Sequence, residues 1–100
     1  MDKILNYLGL ATRSRHLIRG TDSVINALQE KTIHLIILAS DASDSTKDKI
    51  IKKAFFYNVE VLDTYSSSEI GKATGINNPI VCGIDDLGFS KAIKELSKKS

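Results

Sequence analysis

The sequence has few residues that constrain a chain covalently: one cysteine, one proline and no tryptophan occur in 100 residues. A single cysteine excludes a disulfide within the chain. Cys82 lies in the apolar stretch IVCGI, which predicts a buried and unreactive thiol. Free cysteine is typical of a reducing compartment, so we expect a cytoplasmic protein.

Long hydrophobic runs are also missing. The N-terminal stretch MDKILNYLGL has an acidic second residue, and polar side chains interrupt its apolar ones. This pattern predicts neither a signal peptide nor a membrane span, and we expect no membrane partner.

Residues that bind metals or phosphate groups in recognised patterns are scarce. His16, His34 and Cys82 are scattered along the chain, which predicts no zinc site. The six glycines occur singly and form neither a GxGxxG nor a GxxxxGK[ST] loop. The sequence therefore predicts a protein without a cofactor, a small-molecule substrate or enzymatic activity.

Length and composition predict one domain that spans residues 1–100. Apolar residues make up 42% of the chain and charged residues 26%, which is enough for a hydrophobic core. The net charge is only +2, but residues 1–20 contain four basic residues and one acidic residue. This imbalance has two interpretations: a basic edge that faces phosphate, or an ordinary solvated surface.

Apolar residues recur alternately at helical and strand spacings. Residues 33–39, with the sequence IHLIILA, are almost continuously apolar, as in a central strand covered on both faces. Further strands are predicted at residues 17–18, 59–62 and 80–84. The alternation of helix and strand predicts an α/β fold, a three-layer sandwich around a mixed or parallel sheet.

The predicted helices have recognisable starts and ends. Thr21 or Asp22 is expected to cap the second helix, which ends near Glu30. Ser66 and Glu69 form a capping box for a short fourth helix that stops at Gly71. The last helix is expected to end in a frayed lysine tail. The stripes expected to face the core are Ile4, Leu5 and Leu8 in the first helix, Ile50, Ile51, Ala54 and Phe55 in the third, which starts near Ser45, and Phe89, Ala92, Ile93 and Leu96 in the last.

Two carboxylates follow the predicted central strand, in the stretch SDASDS. Asp41 and Asp44 occupy a place where some α/β proteins hold magnesium or accept a phosphoryl group. Aspartate and serine are also the residues preferred for turns and helix caps. The sequence leaves both interpretations open.

The segment ATRSRHLIRGTD is the richest in candidate binding residues. It places Arg13, Arg15, His16 and Arg19 just before a Gly20–Thr21 step into a helix. Side-chain cations and the free N–H groups of a helix start both attract phosphate. The alternative is a basic loop that only keeps the surface soluble.

Several blocks of the chain resemble the YlxQ family of small bacterial RNA-binding proteins: LGLATR, the Arg-Gly step, LIILASDAS with the following Thr46, IGKATG and DLGFSKAI. That family is part of the superfamily of ribosomal proteins that bind RNA kink-turns. The resemblance implies an α/β/α sandwich with a mixed four-stranded sheet. It also implies an RNA surface built from the start of the second helix, the loop after the central strand and an apolar loop before the last strand.

Carried over to this chain, the resemblance and the basic segment together predict one set of RNA-binding residues. The set comprises Arg13, Arg15, His16, Arg19, Gly20, Thr21, Asp22, Ser23, Asn26, Asp41, Ala42, Ser43, Lys72, Ile76, Asn77, Asn78 and Pro79.

The second helix departs from the kink-turn pattern at three positions. Asp22, Ser23 and Asn26 stand where the superfamily usually has Asn, Glu and Lys. An ionised aspartate has no donor for the guanine acceptors O6 and N7, so kink-turn specificity is not predicted.

The sequence as a whole predicts a small non-enzymatic protein that recognises structured RNA, associated with the ribosome or the transcription machinery. Arg13, Arg15, Arg19 and Lys72 are expected to contact phosphates. Two alternatives stay open: a protein-interaction adaptor on the same scaffold with little RNA affinity, and a magnesium-dependent enzyme that uses Asp41 or Asp44.

Overall fold

Helices and strands alternate along the chain as the apolar spacing predicts. A computed structural model describes residues 2–98. The elements are α1 (Lys3–Arg13), β1 (Leu17–Arg19), α2 (Thr21–Gln29), β2 (Leu35–Leu38), α3 (Asp44–Tyr57), β3 (Glu60–Leu62), α4 (Ser67–Thr74), β4 (Val81–Ile84) and α5 (Leu87–Lys98). The end of the predicted lysine tail, residues 99–100, lies outside the described residues.

The four strands form one mixed sheet in the order β1-β4-β2-β3. Strand β4 is antiparallel to both β1 and β2, whereas β2 and β3 are parallel. Every residue of β2 and β4 is buried, because both strands lie inside the sheet and are covered on both faces. The predicted central strand is therefore confirmed, with β4 as its inner neighbour.

Side chains that alternate along β2 separate two cores. Leu35 and Ile37 pack with residues of α1, α4 and α5, and Ile36 and Leu38 pack with residues of α2 and α3 on the opposite face. Alternation follows from the two-residue period of a strand. The predicted three-layer α/β/α sandwich with a mixed four-stranded sheet is confirmed.

The start of α2 differs from the prediction. The N-cap is Gly20, with φ 98° and ψ 143°, and no side chain caps the helix. The N–H of Gly20 still donates to the carbonyl of Val81 in the sheet, at 2.9 Å, so the strand passes into the helix without a linker. This backbone conformation favours glycine, which moves the cap one residue ahead of the predicted Thr21 or Asp22.

The capping box of α4 is confirmed, but the predicted end of this helix at Gly71 is wrong. The helix continues to Thr74 and ends at Gly75, which has φ 77°. A Cβ atom at position 71 would lie 3.0 Å from the carbonyl oxygen of Ile76 and 3.3 Å from the ring of Pro79. Gly71 therefore permits the following loop to approach the helix and does not terminate it.

Helix α3 buries a narrower stripe than predicted. Ile50 and Ala54 are buried, whereas Ile51 is 47% exposed and Phe55 is 89% exposed. Each residue is rotated by about 100° from the one before it. The inner stripe of this helix therefore includes positions 50 and 54 and excludes positions 51 and 55.

Asp2 links the N-terminus of α1 to the segment between β3 and α4. Its carboxylate accepts hydrogen bonds from the N–H groups of Ile4 (2.8 Å) and Leu5 (3.3 Å) and from the hydroxyl of Tyr65 (2.7 Å). The Tyr65 hydrogen bond is the main cause of a lowered Asp2 pKa. Burial and the same hydrogen bond raise the pKa of Tyr65.

The thiol of Cys82 lies inside the core, as predicted. Burial raises the pKa of Cys82 to about 11, which keeps the thiol protonated and unreactive at neutral pH. No helix in the described part of the chain is both long and apolar enough to span a membrane.

Helices α1 and α4 approach closely at Gly9. A Cβ atom at this position would lie 2.8 Å from the carbonyl oxygen of Ala73. Because that atom belongs to the backbone of another helix, it cannot move aside as the end of a flexible side chain can.

We expect Gly9→Ala to lower the free energy of unfolding by about 1–3 kcal/mol, because the added methyl group forces α1 and α4 apart. At an exposed helix position the same change usually raises the free energy of unfolding by about 0.5–1 kcal/mol. The direction of the change therefore distinguishes tight packing from an exposed position. Urea denaturation of the variant measures the effect. Asn6→Ala, on the exposed face of α1, is the control, and an unchanged or increased stability of Gly9→Ala would contradict the packing argument.

Candidate nucleic-acid interface

The antiparallel placement of β4 brings three separate segments to one end of the sheet. Strands β1 and β2 end where β4 begins: the N–H of Gly20 donates to Val81 (2.9 Å) and that of Ala39 donates to Ile80 (2.8 Å). We call this the Gly20 end of the sheet. The start of α2, the loop after β2 and the loop before β4 therefore lie side by side, as the predicted RNA surface requires.

A depression of about 480 Å³ lies at the Gly20 end. One wall is formed by Arg19, Gly20 and Thr21, and the other by residues 76–81. Apart from Gly20 itself and its two chain neighbours, no residue has an atom within 4 Å of the position where a Cβ of Gly20 would stand, so the backbone is open to a ligand at this point. Amide, guanidinium and apolar groups therefore face one concave surface.

The loop before β4 carries side chains of different character. Asn77 and Asn78 are exposed, Ile76 is half-buried, and Pro79 is buried. Asn78 has φ 51°, a left-handed conformation that turns the chain back towards β4. The two amides provide both donors and acceptors on the surface, and Pro79 anchors the loop.

The first turn of α2 contributes backbone donors and three exposed side chains. Because no side chain caps this helix, its first N–H groups have no local side-chain acceptor. Asp22, Ser23 and Asn26 are all exposed. Position 26 is one helical turn from positions 22 and 23, so these side chains share one face of α2, the helix whose first residue, Thr21, lines the depression.

Helix α4 adds a cation to the same end of the sheet. Lys72 is exposed and borders a shallow groove that also contains Ile76, Asn77 and Asn78. The loop before β4 can lie this close to α4 because Gly71 has no Cβ atom to block it.

The polar side chains of the loop after β2 form hydrogen bonds within the protein. The carboxylate of Asp41 accepts from the N–H (2.8 Å) and from the hydroxyl (2.7 Å) of Ser67, at the start of α4. These bonds, the hydroxyl's first, lower the pKa of Asp41. Ala42 is buried, and Ser43 accepts from the N–H of Thr46 as the cap of α3. The three residues shape the Gly20 end more than they offer free groups there.

The predicted basic segment is divided between two ends of the sheet. Arg13, Arg15 and His16 precede β1, and at about 3.3 Å per residue this strand separates His16 from Gly20 by roughly 13 Å. His16 forms a hydrogen bond through Nδ1 with the carboxylate of Asp85 (2.9 Å), beyond the opposite end of β4. We call this the His16 end.

Only Arg19 of the four basic residues in that segment lies beside Gly20. The guanidinium of Arg13 is close to Gly9 of its own helix, and Arg15 adopts φ 63° in the turn before β1. Strand β1 therefore separates Arg13, Arg15 and His16 from the start of α2, and that these residues contact RNA stays a prediction. No group of three or more His, Cys, Asp or Glu side chains that could hold a metal ion occurs in residues 2–98.

The sequence profile of the ribosomal protein L7Ae/L30e/S12e/Gadd45 family matches residues 2–98. The chain belongs to this family. Two similar proteins are both named RNA-binding protein YlxQ. That of Enterococcus faecium is 35% identical over 94 residues (94% of this chain, 90% of the relative), and that of Bacillus subtilis strain 168 is 32% identical over 89 residues (89% of each). The resemblance drawn from the motifs is confirmed.

Solved structures agree with the family's fold. A protein of unknown function from Bacillus halodurans C superposes with a TM-score of 0.95 at 36% identity, over 98% of this chain and 99% of that one. The Giardia lamblia 15.5kD RNA binding protein superposes with a TM-score of 0.81 at 18% identity, over 99% of this chain and 88% of that one. The second comparison concerns the fold alone.

The sequence did not indicate two residues that shape the Gly20 end, Ser67 and Gly71. Ser67 is the partner of Asp41 across 26 positions, and Gly71 admits the loop before β4. The capping box indicated a helix start near Ser67, but no local pattern indicates which distant carboxylate it meets.

We expect Ser67→Ala to raise the pKa of Asp41 towards its ordinary value of 3.8, because the hydroxyl hydrogen bond is the main cause of the lowered value. Since the folded-state pKa is depressed, the stabilisation is present above the unfolded value and is lost as pH falls through the folded one. The stability difference between wild type and variant should therefore shrink at acidic pH.

Carboxyl-detected NMR titration measures the Asp41 pKa, and urea denaturation at pH 7 and pH 3 measures the stability difference. Ser68→Ala is the matched control because Ser68 is the exposed neighbour. An Asp41 pKa that is the same in wild type and in Ser67→Ala would show that this contact does not persist in solution.

Proposed function

We propose that this protein is a non-enzymatic RNA-binding protein that holds structured RNA against the Gly20 end of its sheet. The observation that carries the proposal is the depression between Arg19, Gly20 and Thr21 on one side and residues 76–81 on the other. It combines a cation, open backbone and exposed amides in a chain of this family.

Each part of the depression suits a different part of RNA. Arg19 in the depression and Lys72 in the groove on the other side of the loop before β4 contact phosphates, as do the first N–H groups of α2. Gly20 allows a phosphate or a base to approach the backbone, because no side chain covers it. Asn77 and Asn78 hydrogen-bond to base edges, and Ile76 provides an apolar surface.

The cellular setting is part of the same proposal. The names of the two bacterial relatives support RNA as the partner. We place the protein in the cytoplasm because its one cysteine is free, and the resemblance to the YlxQ family supports a role beside the ribosome or the transcription machinery. A small-molecule substrate and a cofactor have no place in the proposed activity.

The exposed face of α2 sets the expected specificity. Asp22 places a carboxylate where an RNA base would need a donor, and Ser23 and Asn26 are short and uncharged. We therefore propose that the preferred RNA differs from a generic kink-turn. Crosslinking in cells followed by sequencing of the bound RNA identifies it.

We expect Arg19→Glu to weaken binding of the RNA recovered by crosslinking at least about tenfold, because a phosphate contact becomes a repulsion. The slope of log affinity against log salt should become shallower by about one. Fluorescence anisotropy over a salt series measures both quantities.

Arg15→Glu is the matched control for this experiment. It makes the same charge change in the same segment but at the His16 end, and it should alter affinity less than about threefold. If Arg15→Glu lowers RNA affinity more than Arg19→Glu does, the interface lies at the His16 end and the proposed site is wrong. Gly20→Val is a poorer test, because valine is strained at φ 98°.

We expect the triple change Asp22→Asn, Ser23→Glu and Asn26→Lys to improve binding of a generic kink-turn RNA at least about tenfold, since each recovered base contact contributes about 1–3 kcal/mol. All three positions are exposed, so the fold should tolerate the changes. Isothermal titration calorimetry with wild type as reference measures the gain. If affinity stays the same, the start of α2 does not contact the RNA bases.

A further inference from the structure

The outer surface of the second half of α3 has no partner among the described residues. Phe55 is 89% exposed and Phe56 is 77% exposed, although phenylalanine has no polar group to keep in water. Ile51, one turn before Phe55, is 47% exposed. Two neighbouring exposed rings form an apolar patch of the kind that marks a binding surface.

Lysines precede these two rings on the same helix. Lys52 precedes Phe55 by three residues and Phe56 by four, so helical spacing places it one turn from both. Lys49 and Lys53 lie on the Phe56 side of the same helix. Residues 49–57 contain three lysines and no carboxylate, and the nearest acid, Asp48, pairs with Lys52 at 3.0 Å.

One of the two rings contacts a neighbouring ring. Phe56 packs edge to face against the half-buried Tyr57, with ring centroids 4.9 Å apart and planes at 83°. Such contacts prefer this T-shaped geometry. This contact favours an outward orientation of the Phe56 ring.

From these observations we propose that Lys49, Lys52, Lys53, Phe55 and Phe56 form a second binding surface, one that takes single-stranded RNA. Exposed aromatic rings stack with unpaired bases of any sequence, and interspersed cations contact the phosphates between them. This combination is absent from the Gly20 end, where the aliphatic Ile76 and two asparagines face the depression.

Charge and position favour RNA over other occupants. A second copy of this chain would bring the same lysines face to face, which is repulsive. Helix α3 begins beside the Gly20 end and extends away from it for 14 residues, or roughly 20 Å. A single strand that leaves an RNA held at the Gly20 end could follow the helix to Phe55, and this part of the argument rests on the proposed function.

The probe is a fluorescein-labelled uridine dodecamer, which has no secondary structure, titrated with full-length protein in low salt. We expect wild type to bind it, and the double variant Phe55→Leu, Phe56→Leu to bind at least about tenfold more weakly, because leucine keeps apolarity but cannot stack. The double variant Phe55→Tyr, Phe56→Tyr should bind within about threefold of wild type. Leu10→Ser, at a residue 41% exposed on α1, is the control and should have no effect.

Arg19→Glu separates this proposal from the proposed function. It should leave binding of the dodecamer unchanged while it weakens binding of structured RNA at the Gly20 end. If Arg19→Glu abolishes binding of the dodecamer as well, the single strand binds at the Gly20 end and the second surface does not exist.

Three other results would overturn the proposal. The proposal is wrong if the wild-type protein does not bind the dodecamer. It is also wrong if the leucine variant binds the dodecamer as tightly as wild type does. A photoreactive phenylalanine analogue at position 56 should crosslink to RNA in cells. If it crosslinks only to protein, the surface is a protein-docking site.

Discussion

The antiparallel insertion of β4 between β1 and β2 is the constraint on which the rest of the structure depends. Both β2 and β4 are buried along their whole length, so their backbone groups must be satisfied by neighbouring strands. The hydrogen bonds from Gly20 to Val81 and from Ala39 to Ile80 continue this pairing just beyond the ends of β1 and β2. As a consequence, segments near residues 20, 39 and 80, which are distant in sequence, meet at the Gly20 end.

Close backbone approaches then give the Gly20 end its shape. Gly71 lets the loop before β4 lie against α4, and Gly20 leaves the start of α2 uncovered. Asp41 fastens the loop after β2 to α4 through two hydrogen bonds to Ser67. The concave surface thus depends on residues that lack a side chain or use their side chain internally, and the groups offered to a ligand come from their neighbours.

The small net charge of +2 conceals an uneven distribution of cations. Arg19 and Lys72 serve the Gly20 end, Arg13 and Arg15 precede β1 near the His16 end, and three lysines accompany the exposed rings of α3. The roughly 13 Å that β1 places between His16 and Gly20 exceeds a Debye length of about 8–10 Å at physiological salt, so salt screens the cations before β1 from those at the Gly20 end. Each group therefore acts locally, and the net charge says little about binding.

The sequence alone determined the fold class, the element order, the capping box at Ser66 and the burial of Cys82, because each depends on local spacing or on the composition of a short run. The motif blocks also identified the family. The tertiary structure decided the remainder. Gly20 is the N-cap of α2 because the sheet holds its backbone, and Gly71 lies inside α4, where a loop packs against it. Phe55 is exposed because the inward stripe of α3 passes through positions 50 and 54. Arg13 and Arg15 are close to Arg19 in sequence but not in space. Strand β1 lies between them, and an extended strand separates its residues by about 3.3 Å each.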